Sequence, residues 1–302
     1  MRVGTVVEPV DIDDSIPIAR TRSSILCQLF RDRTAVMGAV IVTVFGLAAI
    51  IGPVLEPHDP NNADVLSSFA SPSASSPLGT DELGRDELSR LLYGARLSIG
   101  TTVLATIGIA LLGLAMGTLA GYFGGMVDAA ISWIIDILLA FPTFLLALAV
   151  TGILGSSLRN IMVAVISVWW AGYARIVRGA ILAEREKPYV QAVRAIGTTD
   201  WAILRRHLLP NIVAPIVVLT TLDMGAILLG ISALSFLGLG VSPPTAEWGA
   251  MLSEARTYLS QDANLMLFPG VAIFLTVLGF NLVGDGLRDV LDPRLRDRQW
   301  RP

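Results

Sequence analysis

The sequence predicts an all-α membrane protein with six transmembrane helices and both termini in the cytoplasm. Three observations carry that prediction. Apolar residues make up 53% of the chain and charged residues 16%, against about 25% charged in an ordinary soluble domain, and mean hydropathy is +0.66. Apolar segments near the 20 residues that cross a bilayer core recur six times. Lys and Arg are unevenly shared between alternate connections, which fixes orientation where the net charge of −3 does not.

Residues 1–24 are polar, carry the acids Asp11, Asp13 and Asp14, and show no apolar periodicity. They are expected to form a mobile cytoplasmic tail. They do not read as a signal peptide, because the first apolar run begins near Ala35 and is too long. The six expected spans are 35–55, 97–120, 129–153, 160–182, 212–239 and 265–284. The third is interrupted by Asp136 and Pro142. The fourth carries Arg175 and Arg178 in its final turns, placed to snorkel to the interface on their aliphatic stems.

With the N-terminus inside, the inner connections hold 17 Lys and Arg and the outer ones hold five. The positive-inside rule therefore places the termini and the polar stretch 184–211 in the cytoplasm. Two outer loops follow, 56–96 and 240–264, the second with an amphipathic stretch at 248–259 expected to lie along the interface. The organisation is a tail at 1–24, a first span with its long outer loop at 25–96, a five-helix core at 97–286 and a cytoplasmic C-terminal tail at 287–302.

Several chemistries are excluded by composition. Cys27 is the only cysteine, so no intrachain disulfide forms. His58 and His207 lie in no metal-ligand spacing. Lys187 is the only lysine and stands outside any G-x-x-x-x-G-K-[ST] loop, so if the protein uses ATP another chain binds it. G-x-S-x-G is absent, no paired-carboxylate or Ser-His-Asp set stands out, and no basic stripe with interleaved aromatics points to nucleic acid. No cofactor is expected on this chain.

The most informative segment is EREKPYVQAVRAIGTTDWAILRRHLLPN, 184–211. Pro188 opens a short helix and Gly197 closes it, matching the preference for Pro at helix starts and Gly just past their ends. Tyr189, Val193 and Ile196 share one face beside Ala192, within a basic rim of Arg185, Lys187, Arg194, Arg205 and Arg206. Such a knob suits a protein cleft, and it equally suits anionic lipid; periodicity leaves both open.

Gly113, Gly117, Gly121 and Gly125 recur every four residues, the spacing that lets helices approach closely in lipid. Asp136 and Asp223 lie within spans, where a carboxylate costs about 2.5–3.5 kcal/mol on insertion scales. They are expected to line a pathway or to pack within the bundle. The alternative reading makes them proton carriers of a self-sufficient secondary transporter.

The polar segment resembles the cytoplasmic EAA loop of ABC importer permeases, with Gly197 and Leu209-Pro210 at the family spacing. It departs from that pattern at Gln191-Ala192-Val193, where the family has Glu-Ala-Ala, and at His207, a position usually aliphatic. LGTDELGRDELSRLLYGARLSIG (78–100), ALSFLGLGVSPPTAEWGAML (233–252) and FNLVGDGLRDVLDPR (280–294) are similar to the C-type permease subunit of dipeptide, oligopeptide and nickel importers. The resemblance covers nearly the whole chain from about residue 25.

It implies the type I ABC importer permease fold in a prokaryotic inner or plasma membrane. The implied partners are a homologous B-type permease, two cytosolic ATPase subunits that hold ATP and Mg, and an extracytoplasmic solute-binding protein. It also implies that Tyr189, Gln191, Ala192, Val193, Arg194, Ile196, Gly197 and Pro210 form the contact with the ATPases. Asp81, Arg85 and Trp248 become candidates for the outer gate or for contact with the binding protein.

Overall fold

A computed structural model describes residues 32–291, and the side chain of Leu291 is not among the described parts. The expected tail at 1–24, Cys27, and the C-terminal residues 292–302 lie outside the described residues. Helices dominate, and no strand of more than an isolated bridge occurs among the described residues.

The spans are α1 (Arg33–Leu55), α2 (Glu87–Phe123), the pair α3 (Gly125–Ala140) and α4 (Thr143–Leu154), α5 (Leu158–Arg185), α8 (Leu209–Leu234) and α10 (Asn264–Leu291). Five single helices are long and apolar enough to cross a membrane, and the bent pair makes a sixth span. Two short helices, α6 (Pro188–Ala195) and α7 (Asp200–Ile203), occupy the polar segment. A third, α9 (Trp248–Ala255), lies at the opposite end of the bundle.

The structure departs from the expected organisation at four places. The third span is not one rod: α3 and α4 meet at 94° across Phe141-Pro142, because proline has no N–H to continue the ladder and holds its predecessor extended. Helix α2 begins at Glu87 rather than at residue 97, capped by the Asp86 carboxylate accepting from the Ser89 N–H at 2.9 Å. At 37 residues it runs about 55 Å, well beyond a bilayer core, so the last ten residues of the expected loop 56–96 are helical. Residues 287–291 continue α10 rather than starting a tail. The stretch from 248 does not lie along an interface, since Trp248 is fully buried.

Small residues set the closest crossing, between α2 and α5. A Cβ on Gly117 would sit 2.5 Å from the Ala174 carbonyl oxygen, one on Gly121 2.9 Å from that of Arg178, and one on Gly113 would collide with the Tyr173 Cβ. Gly125 breaks the series: it opens α3 with φ 55° and has open space around it. Around this crossing Ala105, Ile109, Val165, Ile227 and Ile231 are buried. The outward apolar residues, such as Val44, Ile50, Leu111 and Phe274, are exposed, as a lipid-facing surface requires.

Candidate functional site

The polar segment folds as a compact knob at one end of the bundle. Pro188 takes the first helical position of α6, and the chain leaves it through Gly197, whose φ of 83° is the left-handed geometry that suits glycine. The Gly197 N–H donates to the Arg194 carbonyl at 3.0 Å. The residue that anchors α6 is Val190, 1% exposed, packed with Ile203, Leu204, Leu208, Tyr122, Val177 and Ile181. The sequence reading put Tyr189, Val193 and Ile196 on one apolar face. In the fold Val193 alone of these packs inward, half-buried against the same cluster, while Ile196 is 82% exposed.

Three ties hold the knob. The Tyr122 hydroxyl, at the end of α2, donates to Asp200 Oδ1 at 2.5 Å, and the Arg194 guanidinium lies 6.0 Å from the Tyr122 ring centroid. Arg185 Nη1 donates to the Gly121 carbonyl at 3.0 Å. The Tyr189 hydroxyl donates to Glu184 Oε1 at 2.6 Å and accepts from Asn211 Nδ2 at 3.0 Å. Burial is the larger cause that raises the Tyr189 phenol above its ordinary value, followed by the Glu184 carboxylate it serves.

The remaining expected residues lie at the surface. Gln191, Ala192, Arg194 and Gly197 are exposed, and Gln191 spends one amide hydrogen on the Glu186 carbonyl at 3.2 Å. Pro210 is exposed and lies in the first turn of α8. Trp201, 69% exposed, belongs to the same surface and was missed, because an aromatic in a four-residue helix gives no periodic signal.

At the opposite end Asp81, Arg85 and Trp248 are all buried, so these side chains clamp the segment before α2 onto α9 rather than present a contact surface. Arg85 Nε donates to Asp81 Oδ2 at 2.6 Å, and its Nη2 meets Glu82 at 2.9 Å and Glu254 at 3.1 Å. Arg90 bridges the same acids, reaching Glu254 Oε2 at 2.9 Å and Asp81 Oδ2 at 3.3 Å, and donates to the Pro244 carbonyl at 3.1 Å. Burial raises the Glu254 carboxyl, and the Arg90 and Arg85 charges pull it partly back.

Trp248 donates from Nε1 to the Leu91 carbonyl at 3.0 Å and packs edge-on against Phe45. Glu247 caps α9, accepting from Gly249 and Ala250 N–H groups and from Ser98 Oγ. Arg90, Glu247 and Glu254 were not singled out in the sequence, for their partners lie some 150 residues away.

The two acids within the spans part company. Asp136 is ion-paired with Arg175 at 2.7 Å in an exposed position, 70% and 55% exposed respectively. One helical turn further along α5, Arg178 Nη2 meets Asp128 Oδ2 at 2.7 Å. Both arginines, expected to snorkel outward, instead tie α5 to α3. Asp223 has no ion-pair partner among the described residues and lines a cleft between α5, α8 and the bend of the broken span.

Residues 111–297 match the family model described as binding-protein-dependent transport system inner membrane component, and residues 23–72 match the N-terminal TM domain of oligopeptide transport permease C. The chain is 42% identical over 269 residues to the dipeptide transport system permease protein DppC of Alkalihalophilus pseudofirmus, covering 89% of this chain and 88% of that one. It is 42% identical over 270 residues to the glutathione transport system permease protein GsiD of Pectobacterium atrosepticum, covering 89% and 90%. It is 40% identical over 259 residues to the nickel transport system permease protein NikC of Escherichia coli, covering 86% and 94%. A chain of the inward-facing MetNI methionine ABC transporter superposes with a TM-score of 0.55 at 22% identity, over 67% of this chain and 97% of that one.

Proposed function

The chain belongs to the family of binding-protein-dependent transport system inner membrane components, as a multi-pass permease subunit of an ABC importer of type I fold, and from that premise we propose that it imports peptide-class solutes by receiving ATP-driven motion through α6. The observation that carries this reading is the knob at 184–211. Its buried side, built on Val190, Ile203 and Leu208, fixes it to the ends of α2, α5 and α8. Its free side presents Gln191, Ala192, Ile196 and Trp201 within a basic rim. A rigidly mounted knob with exposed apolar tips transmits displacement to the helices it is mounted on.

In this reading the knob lies in the cytoplasm and inserts into two ATPase subunits that bind ATP and Mg. A homologous B-type permease completes the pathway, and a solute-binding protein delivers cargo at the opposite end. ATP binding biases a two-state equilibrium of the permease pair. The ion pairs Asp136–Arg175 and Asp128–Arg178 couple the broken span to α5, the helix that runs directly into the knob. Relatives named for dipeptide, glutathione and nickel transport support a small peptide or chelate as cargo.

The proton-coupled alternative uses both Asp136 and Asp223 as titrating acids free of fixed charge, and the Arg175 partner of Asp136 removes one of the two. The deciding experiment places the assembled complex in liposomes with its binding protein. Uptake that requires ATP on the knob side and ignores an imposed pH gradient is expected. Uptake by this chain alone, driven by the gradient, would overturn the reading.

A further inference from the structure

The cleft beside Asp223 has the composition of a cation-binding site. It encloses about 160 Å³ near the middle of α5 and α8, and its walls include Thr143, Trp169, Tyr173, Ile176, Leu219 and Asp223. A water molecule's share of liquid is about 30 Å³, so the cleft holds roughly five waters or the terminal portion of a small organic solute. Two polar groups line this space, and among the described residues neither has an ion-pair partner or a close hydrogen bond. The Asp223 carboxylate has no cation. The Tyr173 hydroxyl, on a residue only 3% exposed, stands beside that carboxylate without forming a close hydrogen bond.

Each of these groups is costly as it stands. A buried hydroxyl without a partner forfeits about 1–3 kcal/mol. A carboxylate at this depth carries an insertion cost of about 2.5–3.5 kcal/mol, and Asp136 shows how the fold relieves such a cost when an arginine is supplied. For Asp223 the fold supplies apolar and aromatic walls and leaves the counter-charge out. A ligand with a compact ammonium meets the need, since it offers three donors, enough for the Asp223 carboxylate and the Tyr173 oxygen together.

We propose that Asp223 and Tyr173 form a site for the primary ammonium group of the transported solute, the free amino terminus of a short peptide. The site rests on the reading of this chain as a peptide-class permease and assigns the recognition of one end of the cargo to this subunit. Ile176 and Leu219 set the size of the side chain admitted next to that amine.

The test uses the assembled permease–ATPase complex in nanodiscs, without the solute-binding protein. Binding of L-alanyl-L-alanine and of its N-acetyl derivative is measured by calorimetry. For the unaltered complex, acetylation is expected to weaken binding at least tenfold, a comparison that needs no variant. Asp223→Asn is expected to weaken the free dipeptide by a similar factor and to erase the difference between the two ligands. Tyr173→Phe, which keeps the ring, is expected to cost about threefold and to retain the preference. Equal binding of the two ligands, or no binding of either, would overturn the site. ATP-dependent uptake in liposomes is scored separately: uptake without amine preference leaves the importer reading standing and removes the site, whereas amine preference without ATP-dependent uptake does the reverse.

Discussion

The Tyr122 hydroxyl donates to the Asp200 carboxylate at 2.5 Å, joining two residues 78 apart in sequence. Through this bond the last turn of α2 holds the start of α7, and the Arg194 guanidinium closes the same group from α6. Tyr122→Phe is expected to loosen the knob while leaving the bundle intact. A hydrogen bond to a charged acceptor is worth about 1.5–3 kcal/mol, and the exposure of Asp200 puts this one at the low end. Hydrogen exchange across 188–203 should quicken by roughly tenfold, with the spans unchanged, and Asp200→Ala in the same background should add little.

Gly197 sits at φ 83° with open space around it, so substitution acts through the backbone and through the partner rather than by a clash within the chain. Gly197→Ala should cost about 1 kcal/mol locally and permit assembly. Gly197→Asp adds a charge at the face proposed to meet the ATPases and should abolish substrate-stimulated ATPase activity and uptake in the reconstituted complex. Wild-type rates for Gly197→Asp would remove the coupling role from α6.

The arginine clasp at the opposite end makes a prediction about stability. Arg90→Met deprives the half-buried Glu254 and the buried Asp81 of one of their two arginine partners and strips the Pro244 carbonyl of its donor. Breaking a buried pair outright costs about 3–5 kcal/mol because it strands a charge; Arg85 still faces both acids, so a loss below that range is expected, read by thermal unfolding of the purified complex. The cost depends on pH with a definite sign. Burial already raises the Glu254 carboxyl, with Arg90 the larger of the charges that lower it, so the variant raises it further. An acid with a raised value in the fold destabilises as pH rises through that value. The loss should therefore be largest at neutral and alkaline pH and shrink as the solution is acidified and Glu254 takes up a proton.

Glycine positions give a graded test of the α2–α5 crossing. Gly117→Ala puts a methyl group 2.5 Å from the Ala174 carbonyl and should prevent close approach, seen as loss of folded, detergent-stable protein. Gly172→Ala and Gly100→Ala meet nothing within 4 Å and should fold normally.

The spans were legible because a bilayer demands about 20 apolar residues in a row, and that demand is written locally. The start of α2 was not. Glu87 and Arg90 look like loop residues until the clasp neutralises Arg90 against Glu254 and Asp81, acids outside the helix itself. The knob was recognisable through Pro188, Gly197 and Pro210, yet its anchor Val190 was missed, because two turns of helix are too short for periodicity to reveal the buried side. Tyr122–Asp200 and Asp136–Arg175 are contacts over 78 and 39 residues, and no local pattern encodes such pairs. Asp223 could be read as a midspan acid, but that no described residue supplies its counter-charge became visible only once α5 and α8 were set side by side.

The central claim is that α6 receives force from an ATPase, and it is tested most directly by cross-linking at Ile196, the most exposed apolar tip of the knob. Cys27 is replaced by Ser and Ile196 by Cys, the assembled complex is treated with a short thiol-reactive cross-linker, and the products are identified by mass spectrometry with and without ATP. The predicted result is a cross-link to the ATPase subunit whose yield changes when ATP is bound. A complex that still performs ATP-dependent uptake but yields no ATPase cross-link from Ile196→Cys in either state would contradict it.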